Sequence, residues 1–454
     1  MPDSHGSRAT SAAIANTALR NHPLRHLLLI ALLLCCGSCR DASPGSYLYV
    51  WAGDADGKAS DFLGVIDADP ASAHYGRIVA SIPTGEAGTH PHHTEPEMPA
   101  NGHLLANGFH AGRTWLFDLT QPLQPRIVTS FGDLAGLSHP HTFIRLANGN
   151  VLATFQYRAD SVSDKAAGGH AAAIHAAAIH AAASPPEHAT GGLVVMDERG
   201  QVQRRGSAND AAIPDTHLYP YSILPLPAAD RVVSTTTDMD ATNTKATSEW
   251  VQFWRLSDLK LLKSIALAPG PRGDEHQFTG EPRLLPDGKG IYIHTFNCGL
   301  YLLRGADGPD PKATFVHSFE GKNCGVPILT GHFWLQTVPA AHALVALDIA
   351  DPEHPREVST LAMGDDEEPH WIAIDAAGRR VVLNSSGGGT GNRLFVINLD
   401  PATGRLSFDD RFRDAASNVR LSAGKSAAGI SMTGKRWPHG FSGTATPHGT
   451  VFSR

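Results

Sequence analysis

The sequence is poor in three things: thiols, positive charge and long apolar runs. Only five of its 454 residues are cysteine, and three of these, Cys35, Cys36 and Cys39, fall in the first forty residues. With Cys298 and Cys324 alone left for the folded part, an iron–sulfur cluster lacks its ligands. The formal net charge is −7 and no stretch concentrates Lys and Arg, which excludes the electrostatic footprint of a nucleic-acid-binding protein. The longest apolar run, Leu27–Cys36, has about ten residues, half of what a membrane-spanning helix needs. Preceded by Arg8, Arg20 and Arg25, it reads instead as a secretory signal. It ends in Gly37-Ser38-Cys39, the pattern of a lipoprotein leader, with Cys36 standing where such signals carry Leu. The expectation is a signal segment over 1–39, a periplasmic protein, and a membrane tether through a lipidated Cys39.

Two residue types are abundant. The 45 Gly and 31 Pro call for many turns and short strands rather than long helices, and the 25 His exceed ordinary usage. Cys298 and Cys324 both stand in Asn-Cys-Gly, 26 residues apart; in an oxidising compartment a disulfide is the default reading. A pair of structural thiols, or one thiolate in a metal or substrate site, is the alternative.

A weak unit recurs along the chain: a polar lead, an apolar strand, a turn, a second strand, then a strand ending in Asp. Its leads are His93, His141, Tyr221, Glu281, Gly325 and His370, spaced 48, 80, 60, 44 and 45 residues. The value near 45 fits a four-stranded propeller blade. A last lead, His439, is followed by only fifteen residues, whereas Tyr47 to Asp69 offers outer strands without an inner one. Joined, the two ends complete a blade. The predicted fold is all-β: a seven-bladed β-propeller over 46–454, closed by pairing of N- and C-terminal strands, which leaves no open sheet edge. The long gap is an insertion at about 158–190, low in complexity and carrying His170, His175, His180 and His188. It reads as a drifted surface repeat, with weak metal capture the functional alternative.

Leads distant in sequence meet at a propeller's central channel. His92, His93, His141, His370 and His439 therefore converge, with Tyr221 and Glu281 between them. Neutral imidazole is the commonest ligand for copper, iron and zinc, and three or four satisfy one ion. His90, His139 and His448 are assigned to turns or to supporting positions behind the ligands. His370, next to the acidic run Asp365-Asp366-Glu367-Glu368, is also a candidate proton donor or acceptor.

The double histidine His92-His93 with a blade ending in Asp118, the segment His141 to Val151 (HTFIRLANGNV), the strand GGLVVMDERG and the closing His439 resemble the selenium-binding-protein family, which includes bacterial methanethiol oxidases. The resemblance implies a seven-bladed propeller with copper held by His92, His93, His141 and His439. It also implies oxidation of a small thiol by O₂ to aldehyde, sulfide and peroxide, with His370 or Glu281 taking the thiol proton. Two departures stand out: Thr94-Glu95-Pro96-Glu97 replaces a cysteine pair, which removes the basis for selenium binding, and Ile144 replaces a second histidine. Where the family often carries His, Cys298 stands here, which gives it a place facing the channel. The rival functions are a four-histidine iron dioxygenase and a metal-binding or delivery protein without turnover.

Overall fold

A computed structural model of the chain describes residues 45–161, 188–214, 216–240, 248–385, 392–414 and 428–454. The leader with Cys39 and the insertion's His170, His175 and His180 lie outside them. Among the described residues, helix is limited to three-residue turns at Ala159–Ser161, Pro227–Ala229 and Pro339–Ala341. Everything else of regular structure is strand.

Seven antiparallel sheets, each with a four-stranded path, form the blades. Blade one takes Tyr47–Asp54, Ser60–Asp67 and Ile78–Ala87 from the start of the chain, and its innermost strand, Ala445–Phe452, from the end. Tyr49 faces Val451 across that joint and Val50 faces Thr450. The six other inner strands are Pro91–Thr94, Leu137–Arg145, Pro220–Leu226, Thr279–Leu284, Ile328–Thr330 and Pro369–Ile374, opening blades two to seven.

The ring closes because each blade is apolar on both faces. Side chains alternate along a strand, so Leu48, Val50 and Ala52 pack against Val382 and Val396 of blade seven. Tyr49 and Trp51, between them, pack against Trp115 and Phe117 of blade two. The same division recurs at every junction, giving seven separate apolar clusters for seven blade contacts. Cys298 and Cys324 form a disulfide within the junction of blades five and six, both buried beside Tyr292 and Trp334. Cys298 thus faces a blade junction rather than the channel.

One irregularity repeats. In six of the seven blades the inner strand slips register against its neighbour at Pro91–Thr94, Pro140–Phe143, Pro220–Ile223, Thr279–Pro282, Pro369–Trp371 and Pro447–Thr450. Each slip is a β-bulge, which re-aims side chains and frees a backbone N–H from the ladder. Five of the six begin at proline, which has no N–H to lose and tolerates an edge position. The freed N–H groups are met by polar side chains of the second strand. His93 donates to Asn107 Oδ1 at 2.7 Å, Thr142 to Thr154 Oγ1 at 3.0 Å, Ser222 to Thr235 Oγ1 at 3.2 Å, Glu281 to His294 Nδ1 at 2.8 Å and Trp371 to Asn384 Oδ1 at 3.1 Å. Three of these side chains then donate onward to the next blade: Asn107 to the Pro140 carbonyl, Thr154 to that of Tyr221 and Asn384 to that of His448. These buried polar bonds tie inner strands together at three junctions: blades two to three, three to four and seven to one.

Candidate metal centre

At the bulges, the residue after each proline is His92, His141, Tyr221, His370 or His448. The bulge explains how His92 and its neighbour His93 reach the same place, which a regular strand forbids. His92 Nε2 lies 2.9 Å from His141 Nε2, and one donor atom from each of His92, His93 and His141 lies within 4.8 Å of the others. Among the described residues this is the one such trio. His93 also meets blades four and seven, its ring centroid 5.9 Å from Tyr221 and 4.8 Å from Trp371, so the trio sits near the axis.

The proton positions follow from partner chemistry. His141 Nδ1 lies 2.9 Å from the Tyr221 carbonyl oxygen, which can only accept. Its proton therefore sits on Nδ1 and a lone pair is presented at Nε2, toward His92. This is the arrangement of a metal-bound histidine held from behind by a carbonyl. All three imidazoles are fully buried. Burial, aided by the charge of neighbouring histidines, holds His92 and His93 well below the ordinary 6.5, and burial brings His141 to about 4. Three neutral, convergent nitrogens cost little to desolvate and cannot all donate to one another; His92 Nδ1 has no hydrogen-bond partner at all. The donor set fits a transition-metal ion.

The fourth expected ligand, His439, is elsewhere. It tips a small hairpin, Lys435–Arg436 with Ser442–Gly443, where its ring lies 4.9 Å from Phe62 and its Nδ1 bonds Ser81 Oγ at 2.7 Å. The residue at the site is His448, on the inner strand of blade one, 4.3 Å from His92 and 4.8 Å from His370 between ring centroids. Burial drives His448 far below its ordinary range too, and its Nδ1 is buried without a partner. Pro-His-Gly occurs twice, at 438–440 and 447–449. Chain direction reverses after the first copy, and only the second enters the sheet. Gly449 is required there, since a Cβ would come 2.6 Å from the Thr94 nitrogen.

His370 is partly exposed, close enough for its charge to bear on His93, His294 and His448. Glu281 is buried, with its carboxylate taking a 2.5 Å bond from Ser222 Oγ and a 2.8 Å ion pair from Arg283. Burial raises its pKa, but the Arg283 charge and the Ser222 bond outweigh this and leave it below the ordinary value. It stays ionised beside His141 and Tyr221. In blade five, Gly280 occupies the position that carries His in four other blades, and an imidazole arrives from the second strand instead. A Cβ on Gly280 would lie 2.2 Å from His294 Cε1, so the glycine makes room for that ring. Neither His294 nor the bonding side chains Asn107, Thr154 and Asn384 carry a periodic signal in the sequence. Proline before the channel residue does, in five of the six bulged blades.

Comparison with known proteins places these features in context. No family model matches the chain. A 105-residue stretch is 33% identical to a methanethiol oxidase of Hyphomicrobium sp., covering 22% of this chain and 24% of that protein; the match thus spans about a quarter of the relative. Among solved structures, a hypothetical selenium-binding protein from Sulfolobus tokodaii superposes with a TM-score of 0.65 at 16% identity, over 91% of this chain and 94% of that one. The periplasmic gluconolactonase PpgL of Pseudomonas aeruginosa gives 0.57 at 13% identity, over 90% and 99%. At such identities the structural likenesses speak to the propeller fold alone.

Proposed function

We propose that the chain is a copper-dependent oxidase of a small thiol, of the methanethiol type. The observation that carries this reading is the trio His92, His93 and His141, buried, neutral and convergent on one point. The partial likeness to a methanethiol oxidase supplies the reaction class. His448 completes the ligand set in place of His439. Copper, when bound, supplies the Lewis acidity and one-electron chemistry that amino-acid side chains lack.

The chain's own groups then have distinct tasks. The Tyr221 carbonyl keeps His141 in the tautomer that offers Nε2. His370, partly open to solvent beside His448, takes the thiol proton and passes it to water. Glu281, clamped by Arg283, is a poor base and instead contributes fixed negative charge that offsets a bound cation. Phe109, Tyr221 and Trp371 lie against the trio, with ring centroids 4.2–5.9 Å from His92, His93 or His141, and offer aromatic surface suited to a methyl group. The overall balance is CH₃SH + O₂ + H₂O → CH₂O + H₂S + H₂O₂: the carbon loses two electrons, O₂ gains two, and water supplies the carbonyl oxygen. Export through the 1–39 leader, with a lipid tether at Cys39, fits the Cys298–Cys324 disulfide, since such bonds persist outside the reducing cytosol.

The test is metal analysis of the purified protein, followed by formaldehyde and peroxide assays with methanethiol under air. About one copper per chain with both products released is the expected result. Copper without turnover returns the protein to the metal-binding class. Bound iron with no peroxide points to a dioxygenase.

A further inference from the structure

Seven apolar clusters account for the blade junctions, and an eighth lies beyond them. It gathers Phe109, Tyr157 and Tyr219, all buried, with Met239 packed against them in part. These residues stand at or next to strand ends of blades two, three and four, where the inner strands begin. Phe109 also touches the trio. Its ring centroid lies 5.8 Å from His92, 5.9 Å from His141 and 6.4 Å from Tyr157, which stands 5.5 Å from Tyr219. Gly108 pairs with Pro91, and the Phe109 N–H donates to the His90 carbonyl at 2.9 Å. Phe109 is therefore level with His90, on the mouth side of His92.

Three aromatic residues thus surround the trio, and they are held differently. Trp371 Nε1 donates to the Thr450 carbonyl at 2.9 Å, and the Tyr221 hydroxyl lies 3.5 Å from His93 Nε2. Trimming either removes a polar contact to an inner strand or to the trio itself. Phe109 is fixed through its backbone: besides the bond to His90, its carbonyl closes a turn by accepting from the Gly112 N–H at 3.0 Å. Its ring can be cut back while that turn persists. Tyr157 and Tyr219 send their hydroxyls to Asp238 and to the His188 carbonyl, at 2.7 and 2.8 Å, so Phe109 meets aromatic carbon. The three rings and Met239 form a continuous apolar strip leading away from the trio. We propose that Phe109 sets the size of the ligand at the trio, an inference that rests on the thiol reading above. With its ring in place the site takes a one- or two-carbon thiol; with the ring removed, a longer alkyl chain extends along Tyr157, Tyr219 and Met239. A filled apolar pocket discriminates by about 10- to 200-fold per methylene, so one ring suffices to set chain length.

The test titrates the Co²⁺-loaded full chain with methanethiol and with 1-butanethiol in the absence of air. A bound thiolate then gives near-ultraviolet charge-transfer absorption without turnover. The wild type should bind methanethiol at least tenfold more tightly than 1-butanethiol. F109A should bring that ratio to one or below, chiefly by gaining the longer thiol. F109L, which keeps more apolar bulk and guards against a folding defect, should give an intermediate ratio. Unchanged cobalt content and circular dichroism show the metal site and fold intact. No thiolate band with either thiol in the wild type defeats the thiol reading, and the size filter with it. A methanethiol band with equal affinity for 1-butanethiol in the wild type, or an unchanged ratio in both variants, overturns the size filter alone.

Discussion

The two copies of Pro-His-Gly allow a sharp comparison between His448 and His439. Groups that merely brace a metal ligand are worth about 10- to 100-fold in affinity. A residue whose unpartnered nitrogen lies beside the trio should therefore cost at least the upper figure. We expect His448→Ala to weaken copper at least ~100-fold, about 2.8 kcal/mol at ~1.4 kcal/mol per tenfold. His439 has other work: a hydrogen bond to Ser81 and packing against Phe62. Losing one neutral hydrogen bond costs about 1 kcal/mol, and the packing of a half-exposed ring adds little. His439→Ala should thus lower stability by about 1–2 kcal/mol and leave copper affinity within twofold. Competition against a chromophoric chelator measures the first quantity and thermal melting the second, with circular dichroism confirming the β signature. A large copper defect in His439→Ala beside normal affinity in His448→Ala would refute the placement of the fourth ligand.

Three further outcomes follow from other parts of the molecule. His139, His141 and His294 are pushed to about 4, chiefly by burial, while the unfolded chain titrates near 6.5. Between those values the unfolded state holds more protons, so stability is full above about pH 6.5 and falls as pH drops toward 4, by up to ~1.4 kcal/mol per pH unit for each histidine. Denaturant midpoints of metal-free protein that stay level from pH 7.5 to 5 would contradict this. Replacing Cys298 and Cys324 together by Ala releases a 26-residue loop and should cost about 3.5 kcal/mol without changing metal content, since both sulfurs lie in a blade junction. Gly280→Ala drives a Cβ into the His294 ring and should cost about 1–3 kcal/mol of stability, as overpacking does; an unshifted melting curve shows that His294 has room to move.

The fold was legible because a propeller repeats itself: leads about 45 residues apart marked six blades, and the two incomplete ends announced the seventh. His92, His93 and His141 were legible for the same reason. His439 was misleading because a tetrapeptide does not encode chain reversal. Trp437-Pro438-His439-Gly440 turns back within a hairpin, and Thr446-Pro447-His448-Gly449, expected in a turn or a supporting position, runs on into the sheet. Pairing with Tyr47–Asp54 decides the matter, and that contact spans nearly the whole sequence. His294 was hidden because its ring arrives from a second strand through the gap at Gly280. The disulfide, by contrast, was the default for two cysteines in one compartment.

The joint in blade one has a consequence for the order of events. Tyr47 and Ser453, hydrogen-bonded across it, are 406 residues apart in sequence. Closing so long a loop carries an entropic cost that local pairings never meet, and non-local pairings form slowly. Blades two to seven can form as their strands emerge, whereas Ala445–Phe452 must find the opening strands last. That same strand carries His448. Until the ring seals, the trio lacks its fourth neighbour, the Asn384 amide lacks the His448 carbonyl, and two strand edges lie bare. On the proposed reading, with His448 as the fourth ligand, metal uptake would be timed to the end of folding and a bound ion would act as a clasp on the finished ring. Refolding in the presence of metal should leave the rate of early β-structure unchanged and slow the reopening of the closed protein.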